Sequence, residues 1–216
     1  MTPRVVAIDG AAGSGKSTLA RRLGRELGLP YVNTGSMYRA LTLEARRRHL
    51  DLDDGPRLAE AMTTLEFTLS PIEPRELWID GRPPADELTA PDVEAHVSRV
   101  AEHREVRAAM RDAQRALGAE GAVMEGRDIG TVVFPDAPVK LFLSADPDAR
   151  AVRRVLERAE RAAAGSLHER DRRDERVNPF VPAPDAVVID TSRLDVDATV
   201  GAALAAIRER APELLP

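Results

Sequence analysis

Arg4-Val5-Val6-Ala7-Ile8-Asp9, running into Gly10-Ala11-Ala12-Gly13-Ser14-Gly15-Lys16-Ser17, decides the fold. A short apolar, β-branched run leads into the spacing G-x-x-x-x-G-K-[S/T]. Leu19, Ala20, Leu23 and Leu27 then recur at helical intervals, and Gly28 with Pro30 closes that helix. The order is buried strand, glycine-rich turn, helix. Glycines let the backbone turn inward so that successive N–H groups face one anion, and the helix starting there adds its positive dipole end. In that arrangement Lys16 reaches the β- and γ-phosphates of a nucleotide and the Ser17 hydroxyl holds Mg²⁺. The alternative is a glycine-rich turn that binds nothing. Strand, full spacing and helix together weigh against it.

With 216 residues, the chain suits one α/β domain carrying a small insertion better than two independent domains. Its 43% hydrophobic share can fill a core. Only 3% is aromatic, which argues against stacking platforms for single-stranded nucleic acid, and a formal charge of −5 argues against a basic polymer-binding surface. The absence of cysteine excludes disulfides and thiolate metal sites. The chain enters a strand within a few residues, and no apolar run approaches membrane-spanning length. The expectation is a cytoplasmic monomer with neither a nucleic-acid polymer nor a membrane as partner.

Beyond the first helix, Pro30-Tyr31-Val32-Asn33 reads as a second strand, entering Thr34-Gly35-Ser36-Met37-Tyr38-Arg39 and a helix with Leu41 and Ala45. This brings a hydroxyl, a ring and a guanidinium to a strand's carboxyl end, where open α/β sheets bind ligands, and Arg39 can grip a phosphate bidentately. A helix cap at Thr34 with a solvated Arg39 explains the stretch equally well. Residues 51–92 change character: Leu65–Leu69 and Leu77–Asp80 alternate between many prolines, predicting a small antiparallel β insertion with Trp78 in its core. Two helical pieces follow between Asp92 and Leu117. Arg104, Arg107 and Arg111 share a face there, read as a solvated charge row. His96 and His103 lack metal-ligand spacing.

Gly121–Glu125 is the next buried strand, ending in Gly126-Arg127-Asp128-Ile129-Gly130, which suits a ligand loop better than a surface ion pair. Val139–Leu143 is a further strand. Asp146-Pro147 opens a helix with Val152, Val155, Leu156 and Ala159 inward. The dense mixed charge of 169–176 fits either a solvated helix or a basic segment that closes over a transferring phosphoryl. Val187–Asp190 is the last strand, and Val196, Val200, Leu204 and Ile207 mark a final helix before Pro212. Alternating strands and helices predict a doubly wound, mainly parallel sheet.

Several stretches together resemble the bacterial cytidylate kinase family, a group of P-loop nucleoside-monophosphate kinases. They are Ile8–Ser17, Thr34–Arg39, Val97-Ser98-Arg99-Val100-Ala101, Val106-Arg107, Gly126–Ala137, and Arg170-Asp171 with Asp174. The run Gly126–Ala137 discriminates most. The resemblance implies a P-loop kinase core at 1–50 and 93–216, a monophosphate-binding insertion at 51–92 and a helical lid at about 165–178. It implies transfer of the ATP γ-phosphoryl to CMP or dCMP with Mg²⁺. Gly10, Ala11, Ala12, Gly13, Ser14, Gly15, Lys16, Ser17 and Thr18 would then bind ATP. Thr34, Tyr38 and Arg39 would line the CMP site; Ser98, Arg107 and Asp128 would read the cytosine, and Arg127 would hold the α-phosphate. Arg170, Asp174 and Arg176 would serve the lid and sugar-phosphate contacts, with Lys16, Arg127, Arg170 and Asp174 closest to the chemistry. The chain departs from the family's usual residues at Asn33 and Glu125, where Asp is common, at Thr89, where Arg is common, and in the spacing of Arg176. The alternatives are a P-loop kinase for UMP, AMP or a sugar acid, or a nucleotide-dependent switch ATPase.

Overall fold

The computed structural model describes residues 4–159 and 181–216, the side chains of 154–159 excepted. Its strands are β1 (Val5–Gly10), β2 (Tyr31–Asn33), β3 (Phe67–Leu69), β4 (Leu77–Ile79), β5 (Ala122–Gly126), β6 (Val139–Ser144) and β7 (Val187–Asp190). Five form a sheet in the order β2-β5-β1-β6-β7, every pair parallel, while β3 and β4 make a separate antiparallel pair. The helices are α1 (Lys16–Leu27), α2 (Thr34–Arg47), α3 (Gly55–Met62), α4 (Pro91–Glu102), α5 (Arg104–Leu117), α6 (Pro147–Ala159) and α7 (Val196–Arg210).

The near-continuous apolar run of β1 follows from helices covering both sheet faces. Val6 and Ile8 pack with Leu19 and Leu23 of α1 and Val200 and Ile207 of α7. Val5 and Ala7 point the other way, against Met37 and Leu41 of α2 and Val106 and Met110 of α5. Asp9 pairs with Gly126, and Asn33 with Glu125, so β1, β2 and β5 end at one edge of the sheet. Their three loops open side by side there, at the point where such folds bind ligands.

Residues 51–92 hold more than a hairpin. Asp54 caps α3 by accepting the Arg57 N–H at 3.0 Å, and Pro56 sits in its first turn. Leu52, Leu58, Met62, Leu77, Ile79 and Leu88 join the core that covers one sheet face. Two expectations about packing need correction. Trp78 is only half-buried, because alternation turns Leu77 and Ile79 inward and leaves it opposite Thr68 on the other face. Val152, expected inward on α6, is 60% exposed. Among the described residues no helix is long and apolar enough to cross a membrane.

Candidate active site

The β1–α1 turn is shaped by its glycines. Gly10 has φ +146°, and a Cβ there would lie 2.3 Å from the Leu143 carbonyl oxygen. Gly13 and Gly15 also have positive φ. Asn33, Asp54 and Asp195 cap α2, α3 and α7 with side-chain acceptors, but α1 begins after Gly15 with no side-chain cap and no acidic residue in its first turn. Its first N–H groups and dipole are therefore left for an external anion. Lys16 Nζ donates to the Ala11 carbonyl at 2.7 Å across the loop.

Ala12, Gly13, Gly15, Lys16, Ser17 and Thr18 line part of a cavity of about 330 Å³. Gly10, Ala11 and Ser14 are not part of its wall. Ser14 is fully buried beneath the loop, its hydroxyl without a hydrogen-bond partner among the described residues. No cluster of three His, Asp or Glu side chains that could hold a metal occurs among them. A Mg²⁺ held mainly by phosphate oxygens and water, with one hydroxyl from Ser17, fits such a donor set.

The same cavity is also lined by Thr34, Tyr38, Arg39, Ser98, Arg107, Arg127 and Asp128, the acceptor-side residues expected from sequence. Each is held by its element. Asn33, not Thr34, caps α2 by accepting the Ser36 N–H at 3.0 Å, which frees the Thr34 hydroxyl to donate to the Glu125 carbonyl at 2.7 Å. Arg39 donates to Ser36 Oγ at 3.2 Å and pairs with Glu94 at 3.7 Å. Glu94 itself lines the cavity and carried no recognisable spacing in the sequence. Arg107 donates to the Ala101 and Glu102 carbonyls at 3.1 and 2.6 Å, at the carboxyl end of α4.

The loop bearing Arg127 and Asp128 is tied to β1. Asp9 Oδ1 and Oδ2 accept the Ile129 and Gly130 N–H groups, each at 2.8 Å. Burial pushes the Asp9 carboxyl up to about 6; the two N–H groups pull it back and Asp128 adds to the rise. Arg115 of α5 fixes the following turn by donating to the Val133 and Val132 carbonyls at 2.8 and 3.0 Å. Burial likewise pushes the Tyr38 phenol up, with Asp128 acting in the same direction.

Two of the residues that depart from the family's usual choice belong to one network. Tyr31 Oη donates to the buried Glu125 Oε1 at 2.5 Å, and Asn33 Nδ2 donates to Tyr31 Oη at 3.3 Å. Thr89 lines the cavity, whereas Arg82 is exposed on the β4 side and does not. Arg170, Asp174, Arg176 and the expected lid at 165–178 lie outside the described residues. In the arginine row of α5, Arg104 is exposed and Arg107 and Arg111 are half-buried, and all three line a second, open cavity.

Uncapped amides with a lysine and a set of guanidinium groups in the walls of one cavity suit two phosphate-bearing ligands brought together, which with the parallel sheet makes this a P-loop kinase. More closely, the chain belongs to the cytidylate kinase family, whose model matches residues 6–209. It is 44% identical over 207 residues to the cytidylate kinase of Pelotomaculum thermopropionicum, covering 90% of this chain and 92% of that one. It is also 44% identical over 206 residues to the cytidylate kinase of Deinococcus radiodurans, covering 94% and 98%. A bifunctional pantoate ligase/cytidylate kinase from Synechococcus sp. (strain JA-2-3B'a(2-13)) is 43% identical over 204 residues, 88% of this chain and 38% of that protein.

Proposed function

We propose that this chain transfers the γ-phosphoryl group of ATP to CMP or dCMP, giving ADP and CDP or dCDP. The observation that carries the reading is the presence of Lys16 and Asp128 in the walls of one cavity, between which a donor and an acceptor nucleotide can meet. Backbone amides after Gly13 and the Lys16 ammonium hold the donor's phosphates. Arg39 and Arg127 hold the acceptor's phosphate, so that one of its oxygens attacks the γ-phosphorus in line while the bond to the β–γ bridging oxygen breaks. No covalent enzyme intermediate is needed. Charge spreading over the transferring group is met by Lys16 and Arg127. Mg²⁺ would neutralise phosphate charge when bound, and Ser17 is the residue that would hold it.

Base selection follows from hydrogen-bond polarity. Cytosine presents an exocyclic amine that the Asp128 carboxylate accepts, with Ser98 and Arg107 at the ring edge. Uracil presents a carbonyl at the same place, which a carboxylate repels, leaving buried polar groups unpaired. The reading places the protein in pyrimidine nucleotide metabolism, as a cytoplasmic monomer. Calorimetric titration of CMP into the protein, with and without a non-hydrolysable ATP analogue, tests it. Association below millimolar CMP supports the reading, and no heat of binding in either arm contradicts it.

A further inference from the structure

The second cavity, of about 360 Å³, adjoins the acceptor end of the first: Tyr38, Arg107 and Asp128 line both. Its remaining wall is Arg104, Arg111 and Gln114 of α5, with Ala108, Val132 and Val133. Residues 104, 107, 111 and 114 recur at helical spacing, so one face of α5 presents three guanidinium groups and an amide to a single hollow. Opposite them stands one carboxylate, Asp128.

Two of the α5 groups, Arg111 and Gln114, have few partners among the described residues. Arg111 Nε is buried without a hydrogen-bond partner, and its ion pair among the described residues is a 4.0 Å approach to Asp112. Gln114 is 2% exposed, and its amide makes no side-chain hydrogen bond among the described residues. A guanidinium nitrogen buried in this way is costly unless something supplies an acceptor. Arg107 is anchored through its bonds to the end of α4.

We propose that this cavity is a second anion site, sharing a wall with the acceptor position, that takes a phosphate group. Arg104 and Arg111 provide charge-assisted donors, and Gln114 provides a neutral donor at the far end. Three cationic groups at this spacing suit a dianion better than a carboxylate. The site is coupled to the acceptor position because Arg107 and Asp128 belong to both. An anion beside Asp128 disfavours the carboxylate that receives the cytosine amine and draws Arg107 away from the ring. By linkage it weakens CMP and is weakened by CMP. That coupling rests on the acceptor assignment above; the anion site does not.

The test is equilibrium dialysis of labelled inorganic phosphate against the full chain, at constant ionic strength with chloride. The cradle is filled by a non-hydrolysable ATP analogue and Mg²⁺. Arg111→Leu, Arg111→Gln and Arg104→Leu are compared with the wild type, each checked for an unchanged melting transition. The site predicts that each variant loses one equivalent of bound phosphate, or binds it roughly fivefold more weakly, as expected on removing a charge-assisted donor. Retention of wild-type phosphate binding in all three overturns it. A parallel arm with CTP distinguishes a free anion from a nucleotide's phosphate chain: Arg111-dependent binding of CTP alone assigns the chain. In the kinetic arm, phosphate raises the half-saturating CMP concentration in the wild type more than in Arg111→Leu. Equal rises remove the coupling, and a raised KM for Arg111→Leu without phosphate shows that Arg111 belongs to the acceptor site instead. If CMP proves not to be a substrate, the dialysis arm still decides the anion site.

Discussion

The carboxylate of Asp9, at the end of the strand that launches the phosphate cradle, accepts the backbone N–H of Gly130 at 2.8 Å. With the matching bond to Ile129, it clamps the cradle to the loop that carries Arg127 and Asp128, so the two halves of the site share one anchor. The anchor has a cost visible in its titration. Burial lifts the Asp9 carboxyl from 3.8 to about 6, so the folded state holds this proton where the unfolded chain has released it. The contribution of Asp9 to stability is therefore fullest below pH 4, falls between about pH 4 and 6, and is level above. The fall is on the order of 3 kcal/mol. Denaturant unfolding at several pH values should show a limb of this sign in the wild type that is absent in Asp9→Asn. Parallel profiles contradict the assignment.

Two glycine substitutions separate shape from conformation in the cradle. A Cβ on Gly10 collides with the Leu143 carbonyl, whereas one on Gly15 meets open space and bears only the strain of φ +90°. Gly15→Ala should cost about 1 kcal/mol, the usual penalty for a left-handed residue with a side chain. Gly10→Ala should cost clearly more and abolish ATP binding. Thermal melts with and without the ATP analogue read both effects, and equal costs would rule out the close approach as the reason for Gly10.

The Tyr31 phenol is the partner that keeps Glu125 satisfied in the floor of the cavity. Tyr31→Phe leaves a buried carboxylate short of a donor, and should destabilise the protein by about 1–3 kcal/mol. Adding Glu125→Gln should recover part of the loss, since a neutral amide tolerates burial better. A double variant no more stable than Tyr31→Phe argues against a charge-based origin.

For base recognition, Asp128→Ala should reduce kcat/KM for CMP by a larger factor than for UMP. Equal losses show that Asp128 does not read the base. Lys16→Ala should lower turnover by about 10²–10³-fold with the melting transition preserved, by analogy with other preorganised electrostatic contacts. More than a tenth of wild-type rate contradicts its assigned role.

Much of this arrangement was legible in the chain. The cradle carries its own context, because strand, glycines, lysine and helix occur in one unbroken stretch. The convergence of Thr34, Tyr38, Arg39, Arg127 and Asp128 follows from a parallel sheet whose strand ends share an edge. What stayed hidden depends on neighbours rather than on pattern. Arg104, Arg107 and Arg111 show the same periodicity whether their face meets open water or a hollow; Tyr38 and the Asp128 loop supply the hollow's other wall. Trp78 was expected in the core because large aromatics usually bury, but in a three-residue strand the alternation of Leu77 and Ile79 leaves it on the opposite face. At eight residues α3 is too short for periodicity to declare it, and only its Asp54 cap and Pro56 mark it. Glu94 acquires meaning from Arg39, 55 positions earlier in the chain, and no local signal announces that pairing.

The most direct measurement of the central claim is ADP release by the purified chain with ATP and Mg²⁺, against CMP, dCMP, UMP, AMP and water as acceptors. The account predicts ADP formation that depends on CMP or dCMP and exceeds the UMP and AMP rates. ADP released equally with water, or faster with UMP or AMP than with either cytidine nucleotide, contradicts it.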